Sequence, residues 1–254
     1  LLNLGLNTNN AKNMSHMFYG CSSLINFNFS LFDTHNVVDM SHMLDSCISL
    51  TDVYSDNIDV KKVKNISGIF KSCISLRNIN LKNFKTSSVN DMSSMFESCN
   101  SLQELDMSQF DTNNTTNMSR MFCYCSSLRN IDLRQFDTSN VMDMSYMFYY
   151  MPVINYLDLS SFDTSNVQNM SHIFSYSNRL TGIDVTLLNT SNVKDMSGMF
   201  KGLSSLHSVD VSELITNNVI DFSGMFEDCS SLKMIDISKF NTTNAKNISK
   251  MFSN

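Results

Sequence analysis

A step of 26 residues recurs through this chain without insertion or deletion, and it limits the possible folds more than any other feature. The first apolar residue of an Asp-Met-Ser-x-Met-Phe motif falls at Met14, Met40, Ile66, Met92, Met118, Met144, Met170, Met196, Phe222 and Ile248. Serine follows it every time, from Ser15 to Ser249. An unbroken internal period points to a solenoid of stacked, equivalent rungs. It argues for a single unit over residues 1–254 and against two domains joined by a linker.

Each unit carries two hydrophobic periods. Ile131 and Leu133 flank Asp132, the alternation of a half-buried strand. Met144, Met147, Phe148 and Met151 fall at i, i+3, i+4 and i+7, the face of a short helix. Between them, Phe136-Asp137-Thr138-Ser139-Asn140 carries the side chains that close turns and cap helices. The predicted unit is therefore strand, turn, short helix and loop, with the strands forming a parallel sheet along one face. The cap at the helix start falls to the motif serine or to the Asp or Asn two positions before it. One such unit cannot bury its own apolar side, so like residues must form ladders at about 4.8 Å per rung. Leu24 to Leu232, Phe32 to Phe240 and the Met and Phe of the motif supply them.

The spacing Leu-x-x-Ile-x-Leu resembles the strand segment of leucine-rich repeats. The longer string at residues 136–159 and 162–185 resembles the BspA-like leucine-rich-repeat surface proteins of bacteria. That resemblance covers essentially the whole chain. It implies a repeat solenoid of α/β type, display on the cell surface or secretion, and a role in adhesion. It brings no catalytic residues. Leu1 falls in a strand position and Asn254 just after the last motif, so polar capping units are expected beyond both ends in a longer chain or assembly.

Composition excludes several classes. With 18 Lys and Arg against 24 Asp and Glu, the net charge of −6 disfavours a nucleic-acid partner. No apolar run is long enough to span a bilayer. No Gly-rich phosphate loop or recurring nucleophile and base is present, so no enzyme and no cofactor are expected.

Four residue sets remain as candidates. Cys21, Cys47, Cys73, Cys99, Cys125 and Cys229 share a slot held elsewhere by Met151, Ser177 and Leu203, which reads as packing of free thiols. Cys123 lies outside it and is expected to be exposed and reactive. Asp106, Asp132, Asp158, Asp184, Asp210 and Asp236 share the outward strand position. Stacked carboxylates repel and could draw calcium, but no calcium loop is recognisable, so no metal is assigned; either way they make an acidic face. Tyr124, Tyr146, Tyr149, Tyr150, Tyr156 and Tyr176 cluster within residues 124–176. Tyr124, Tyr150 and Tyr176 are 26 apart and should stack, in a slot that takes Gly, Ser or Asp elsewhere. Surface tyrosine suits a protein or glycan ligand, and Tyr124, Tyr146, Tyr149, Tyr150 and Tyr176 with the six aspartates are the candidate contact residues. His16, His42 and His172 sit in a tolerant, exposed slot. The expected function is a non-enzymatic surface module for binding or adhesion to a host protein or glycan. The alternative is a structural spacer, or a block that packs against neighbouring copies in a fibre or layer.

Overall fold

A computed structural model of the chain describes residues 6–56 and 58–254. The expected strand at Leu1 lies outside the described residues. Rungs stack in parallel at the predicted step: successive bridges join Asn13 to Asp39, Asp39 to Asn65 and so on to Asn247. The motif residues Met92, Met118 and Met144 are fully buried at equivalent positions of successive rungs, and Met147, Phe148 and Met151, in the rung of Met144, are fully buried too. The aromatic column is continuous from Phe70 to Phe252, with ring centroids 5.7 Å apart at Phe70–Phe96 and 5.5 Å at Phe226–Phe252.

The expected short helix is absent from the motif segment. Its apolar face is buried as predicted, but its backbone is a run of turns. In the rung of Met144, the N–H groups of Met144, Tyr146, Phe148 and Tyr150 donate to carbonyls of the next rung, at Asn169, Ser171, Ile173 and Ser175. The intervening N–H groups of Met147 and Tyr149 close turns on Met144 and Tyr146. An α-helix would need all of these donors for its own i−4 carbonyls. Two residues per rung also take positive φ, here Tyr146 at 58° and Tyr150 at 55°, which a right-handed helix excludes. The one helical turn among the described residues is the 3₁₀ turn Phe29–Leu31.

The sheet is also narrower than expected. Strands β1 (Asn26–Asn28), β2 (Asp52–Tyr54) and β3 (Asn78–Ile79) pair in parallel, Phe27 beside Val53 and Val53 beside Ile79. Beyond β3 the corresponding segments form no further named strand among the described residues. The hydrogen-bond ladder that runs the length of the stack is therefore the motif segment.

The turn Phe-Asp-Thr-Ser-Asn resolves into three jobs. Asp137 Oδ1 accepts from the Ser139 N–H, closing its own turn at 3.0 Å. The buried Thr138 hydroxyl donates to the Asp163 carbonyl of the next rung at 2.8 Å. The Asn140 amide donates to the Asn113 carbonyl of the rung before at 2.7 Å. The third unit, which lacks this turn, fills the Thr position with buried Val60. There Lys62 Nζ reaches Asn36 Oδ1 at 2.8 Å. Side chains thus bolt each rung to both neighbours.

Candidate partner-binding face

The positive-φ residues define two outward columns, four positions apart in every rung. One runs His16, His42, Gly68, Ser94, Arg120, Tyr146, His172, Gly198, Gly224 and Lys250. The other runs Gly20, Ser46, Ser72, Ser98, Tyr124, Tyr150, Tyr176, Gly202 and Asp228. Left-handed backbone favours glycine and small polar residues. From Arg120 to Tyr176, however, every slot of both columns holds Arg, Tyr or His. These rungs carry bulky side chains at positions where the backbone rewards none.

The rings form one contiguous cluster. Tyr124 and Tyr150 lie 5.2 Å apart, and Tyr124 meets the edge of Tyr149 at 5.2 Å. Tyr149 also contacts Tyr146 at 5.3 Å and Tyr176 at 5.6 Å. His172 stacks on Tyr146 at 4.7 Å. The Arg120 guanidinium lies over the other side of Tyr146, 4.2 Å from its centroid, within cation–π range. Tyr124 and Tyr150 are exposed, whereas Tyr146, Tyr149 and Tyr176 are half-buried. Burial, then the Tyr124 hydroxyl, raises the Tyr149 phenol well above its ordinary value. Burial, then Lys201, lowers the His172 imidazole. Both groups are therefore uncharged near neutrality.

Between the two columns runs a third, Lys71, Glu97, Cys123, Tyr149, Ser175, Lys201 and Glu227. Lys71 pairs with Glu97 at 3.0 Å, and Lys201 with Glu227 at 2.6 Å. Ion pairs thus bracket an uncharged stretch under the aromatic rings.

Several expectations change here. The stack of Tyr124, Tyr150 and Tyr176 is partial: Tyr176 turns away and lies on the next rung, where a Cβ on Gly202 would come within 2.4 Å of its ring. His172 lies likewise on Gly198, and His42 on Gly68, so these histidines are half-buried and only His16 is exposed. Tyr156 is exposed on the strand side, apart from the cluster. Cys123 is fully buried, and burial, then Glu97, pushes its thiol up to about 12, so the expected exposed, reactive thiol is corrected to an inert one. Cys21 is exposed, unlike its slot-mates. The other thiols do more than pack. Cys125 Sγ donates to the Phe96 carbonyl at 3.2 Å, and Ser177 in the same slot donates to Phe148 at 2.8 Å.

The six aspartates Asp106, Asp132, Asp158, Asp184, Asp210 and Asp236 accept from the N–H two residues on, at 2.8–3.1 Å. They are turn-closing residues, exposed except for half-buried Asp158. Hydrogen bonds from the side chain and backbone of that second residue hold their carboxyls below the ordinary range; at Asp210 the backbone bond leads. Among the described residues no group of three or more His, Cys, Asp or Glu is placed to hold a metal. No helix there is long and apolar enough to cross a membrane.

Sequence reasoning passed over Arg120, His172 and Lys201 as parts of this face. The signal was present: glycine recurs in both columns, which marks the left-handed backbone positions whose side chains project together.

Together the ladder and its outward columns define a repeat solenoid with a local aromatic face. A family model described as "Mycoplasma protein of unknown function, DUF285" matches residues 4–105, 51–157, 96–183 and 177–254. The chain belongs to that family, and the BspA-like character of its motif fits it. No curated protein matches. Among solved structures, a leucine-rich repeat protein from Bacteroides ovatus aligns over 90% of this chain and 72% of its own, at 15% identity and a TM-score of 0.42. The T. pallidum leucine-rich repeat protein aligns over 92% and 64%, at 17% identity and a TM-score of 0.24. A leucine-rich cell surface protein from Faecalibacterium prausnitzii aligns over 92% and 81%, at 14% identity and a TM-score of 0.26. The fold reading rests on the ladders themselves.

Proposed function

We propose that this chain is a single solenoid that works without catalysis, as a cell-surface or secreted module that binds a host protein or glycan. The contact face is the cluster of Tyr124, Tyr146, Tyr149, Tyr150, Tyr176, Arg120 and His172. One observation carries the reading: three consecutive rungs, Arg120 with Tyr124, Tyr146 with Tyr150 and His172 with Tyr176, place large aromatic or cationic side chains in both left-handed slots at once, whereas the other described rungs with both slots have Gly, Ser or Asp in at least one. Core packing gains nothing from the exposed rings of Tyr124 and Tyr150, and such backbone outliers gather at functional sites. Tyrosine offers large contact area at low entropic cost. The aspartates, engaged in their own turns, give the strand side a polar acidic surface and not a specific site.

Tyr124→Ser and Tyr150→Ser test this, because Ser46, Ser72 and Ser98 already occupy the same slot. Probed on arrays of glycans and host proteins, the double variant should lose at least about tenfold in affinity with an unchanged circular dichroism spectrum. Unchanged capture by the double variant would move the contact face away from these rings, and end-to-end polymers of the wild-type chain with no ligand on either array would assign it to the structural class of spacers and fibre blocks.

A further inference from the structure

Tyr124, Tyr146, Tyr149, Tyr150 and Tyr176 form one connected group of phenol rings, and two of them reach solvent. Tyr124 and Tyr150 hold the same slot of adjacent rungs, with ring centroids 5.2 Å apart and ring planes at 43°. Both are exposed. Their Cα atoms are one rung apart, about 4.8 Å. The two phenol edges therefore meet by side-chain rotation alone, which exposed side chains complete in roughly ps–ns. The other tyrosines lack this arrangement. Among the described residues, Tyr19 has its ring contact with His16, and Tyr54 and Tyr156 are exposed on the strand side with no aromatic ring against them.

We infer that Tyr124 and Tyr150 are an oxidative cross-linking site, where a peroxide-driven one-electron oxidant couples the two phenols into dityrosine and ties one rung covalently to the next. Each phenol gives up one electron and its hydroxyl proton and becomes a phenoxyl radical. The two unpaired electrons then form one carbon–carbon bond between ring carbons ortho to the hydroxyls. Each of those carbons loses its hydrogen as a proton while its oxygen takes one up, which restores both aromatic rings. The net loss is two electrons and two protons, and one hydrogen peroxide accepts them, with two more of each hydrogen and oxygen already its own, to become two waters. The surroundings favour the exposed pair. Proton release needs water, which Tyr124 and Tyr150 meet, whereas Tyr149 is half-buried and its hydroxyl faces that of Tyr124. Competing sinks for a radical are out of reach. The chain has no tryptophan. The thiols flanking Tyr124, Cys123 and Cys125, are fully buried, and the exposed Cys21 lies about 19 Å away along the stack, at roughly 4.8 Å per rung. The inference stands on ring geometry and is independent of which ligand the face takes.

The test treats the full chain, at high dilution, with hydrogen peroxide and a haem peroxidase. The monomer should gain dityrosine fluorescence and lose the mass of two hydrogens. After trypsin, residues 121–129, in which Tyr124 is the sole tyrosine, should be joined to the peptide that carries Tyr150, with the bond placed by tandem mass spectrometry. Tyr124→Phe and Tyr150→Phe keep the rings and remove the hydroxyls, so packing is retained, and each should abolish the joined peptide. Tyr156→Phe should leave its yield unchanged. Coupling that forms only between chains overturns the assignment. So does a joined peptide whose bond falls on Tyr146, Tyr149, Tyr156 or Tyr176, a full yield from Tyr124→Phe, or consumption of peroxide with no dityrosine formed.

Discussion

A left-handed residue is a steric statement, and among the described residues it is made fourteen times with side chains other than glycine. Each strains the backbone by roughly 1 kcal/mol or more, and the slot is relaxed where glycine stands, at Gly20, Gly68, Gly198, Gly202 and Gly224. The rings accordingly lean toward the next rung, and where one lies flat the next residue is glycine: His42 over Gly68, His172 over Gly198 and Tyr176 over Gly202. Gly198→Ala therefore places a methyl within 2.2 Å of the His172 ring and adds a Cβ to a left-handed backbone. It should cost about 1–3 kcal/mol, read as a lower unfolding midpoint in urea, and should displace His172 from Tyr146. An unchanged midpoint would mean that the ring does not lie there. Arg120 and His172 were legible as members of a tolerant slot. That the slot points outward beside the tyrosines was not, because the sign of φ is not written in hydrophobic periodicity.

Acidic side chains decide the geometry of the turn. In every motif copy the Asp or Asn two positions before the motif serine accepts that serine's N–H, from Asn13 with Ser15 to Asn247 with Ser249. The sequence left two candidate caps, and the structure selects this one. Asn and Asp alternate along the column from Asn13 to Asp195, which doubles the spacing between stacked carboxylates and weakens their repulsion. On the strand side the six aspartates work the same way, and their ionised form is favoured by folding. Their folded pKa values lie below the ordinary 3.8, and that of Asp132 is about 2. The stabilisation is thus complete above about pH 4 and lost as the pH falls toward 2. Replacing all six with Asn retains an acceptor in each turn. Acid titration followed by tryptophan-free near-UV dichroism should then show a shallower loss of stability across that interval, and an identical profile would sink the assignment. The helix predicted from Met144, Met147, Phe148 and Met151 fails at this scale. Its burial pattern is right, but the same spacing buries the same residues when alternate N–H groups reach across to the next rung.

Over the whole molecule the stack behaves as a one-dimensional array, since each rung touches chiefly its neighbours. The phenylalanine column makes this testable. Phe122, Phe148 and Phe174 are each fully buried between rings of the rungs before and after. Phe→Ala at any of the three should destabilise by a similar amount, about 3–5 kcal/mol. Phe252, half exposed beside Phe226, should cost clearly less. Equal losses at all four positions, measured by urea unfolding, would contradict a stack of nearest-neighbour rungs. The aromatic face lies in the middle of this array, between the Lys71–Glu97 and Lys201–Glu227 pairs, where rungs on both sides hold it rigid.

By itself the amino-acid sequence determined the step of 26 residues, the parallel stacking, the apolar columns and the concentration of tyrosine between residues 124 and 176. Those follow from burial, which depends on spacing alone. Only the tertiary structure decided that the motif segment is a cross-rung ladder of turns instead of a helix. It also decided that Cys123 is sealed inside, and that Arg120, His172 and Gly202 join the tyrosines on one face. The physical reason is that a backbone N–H can be satisfied equally well four residues back or one rung away. The choice between those partners fixes where each side chain points.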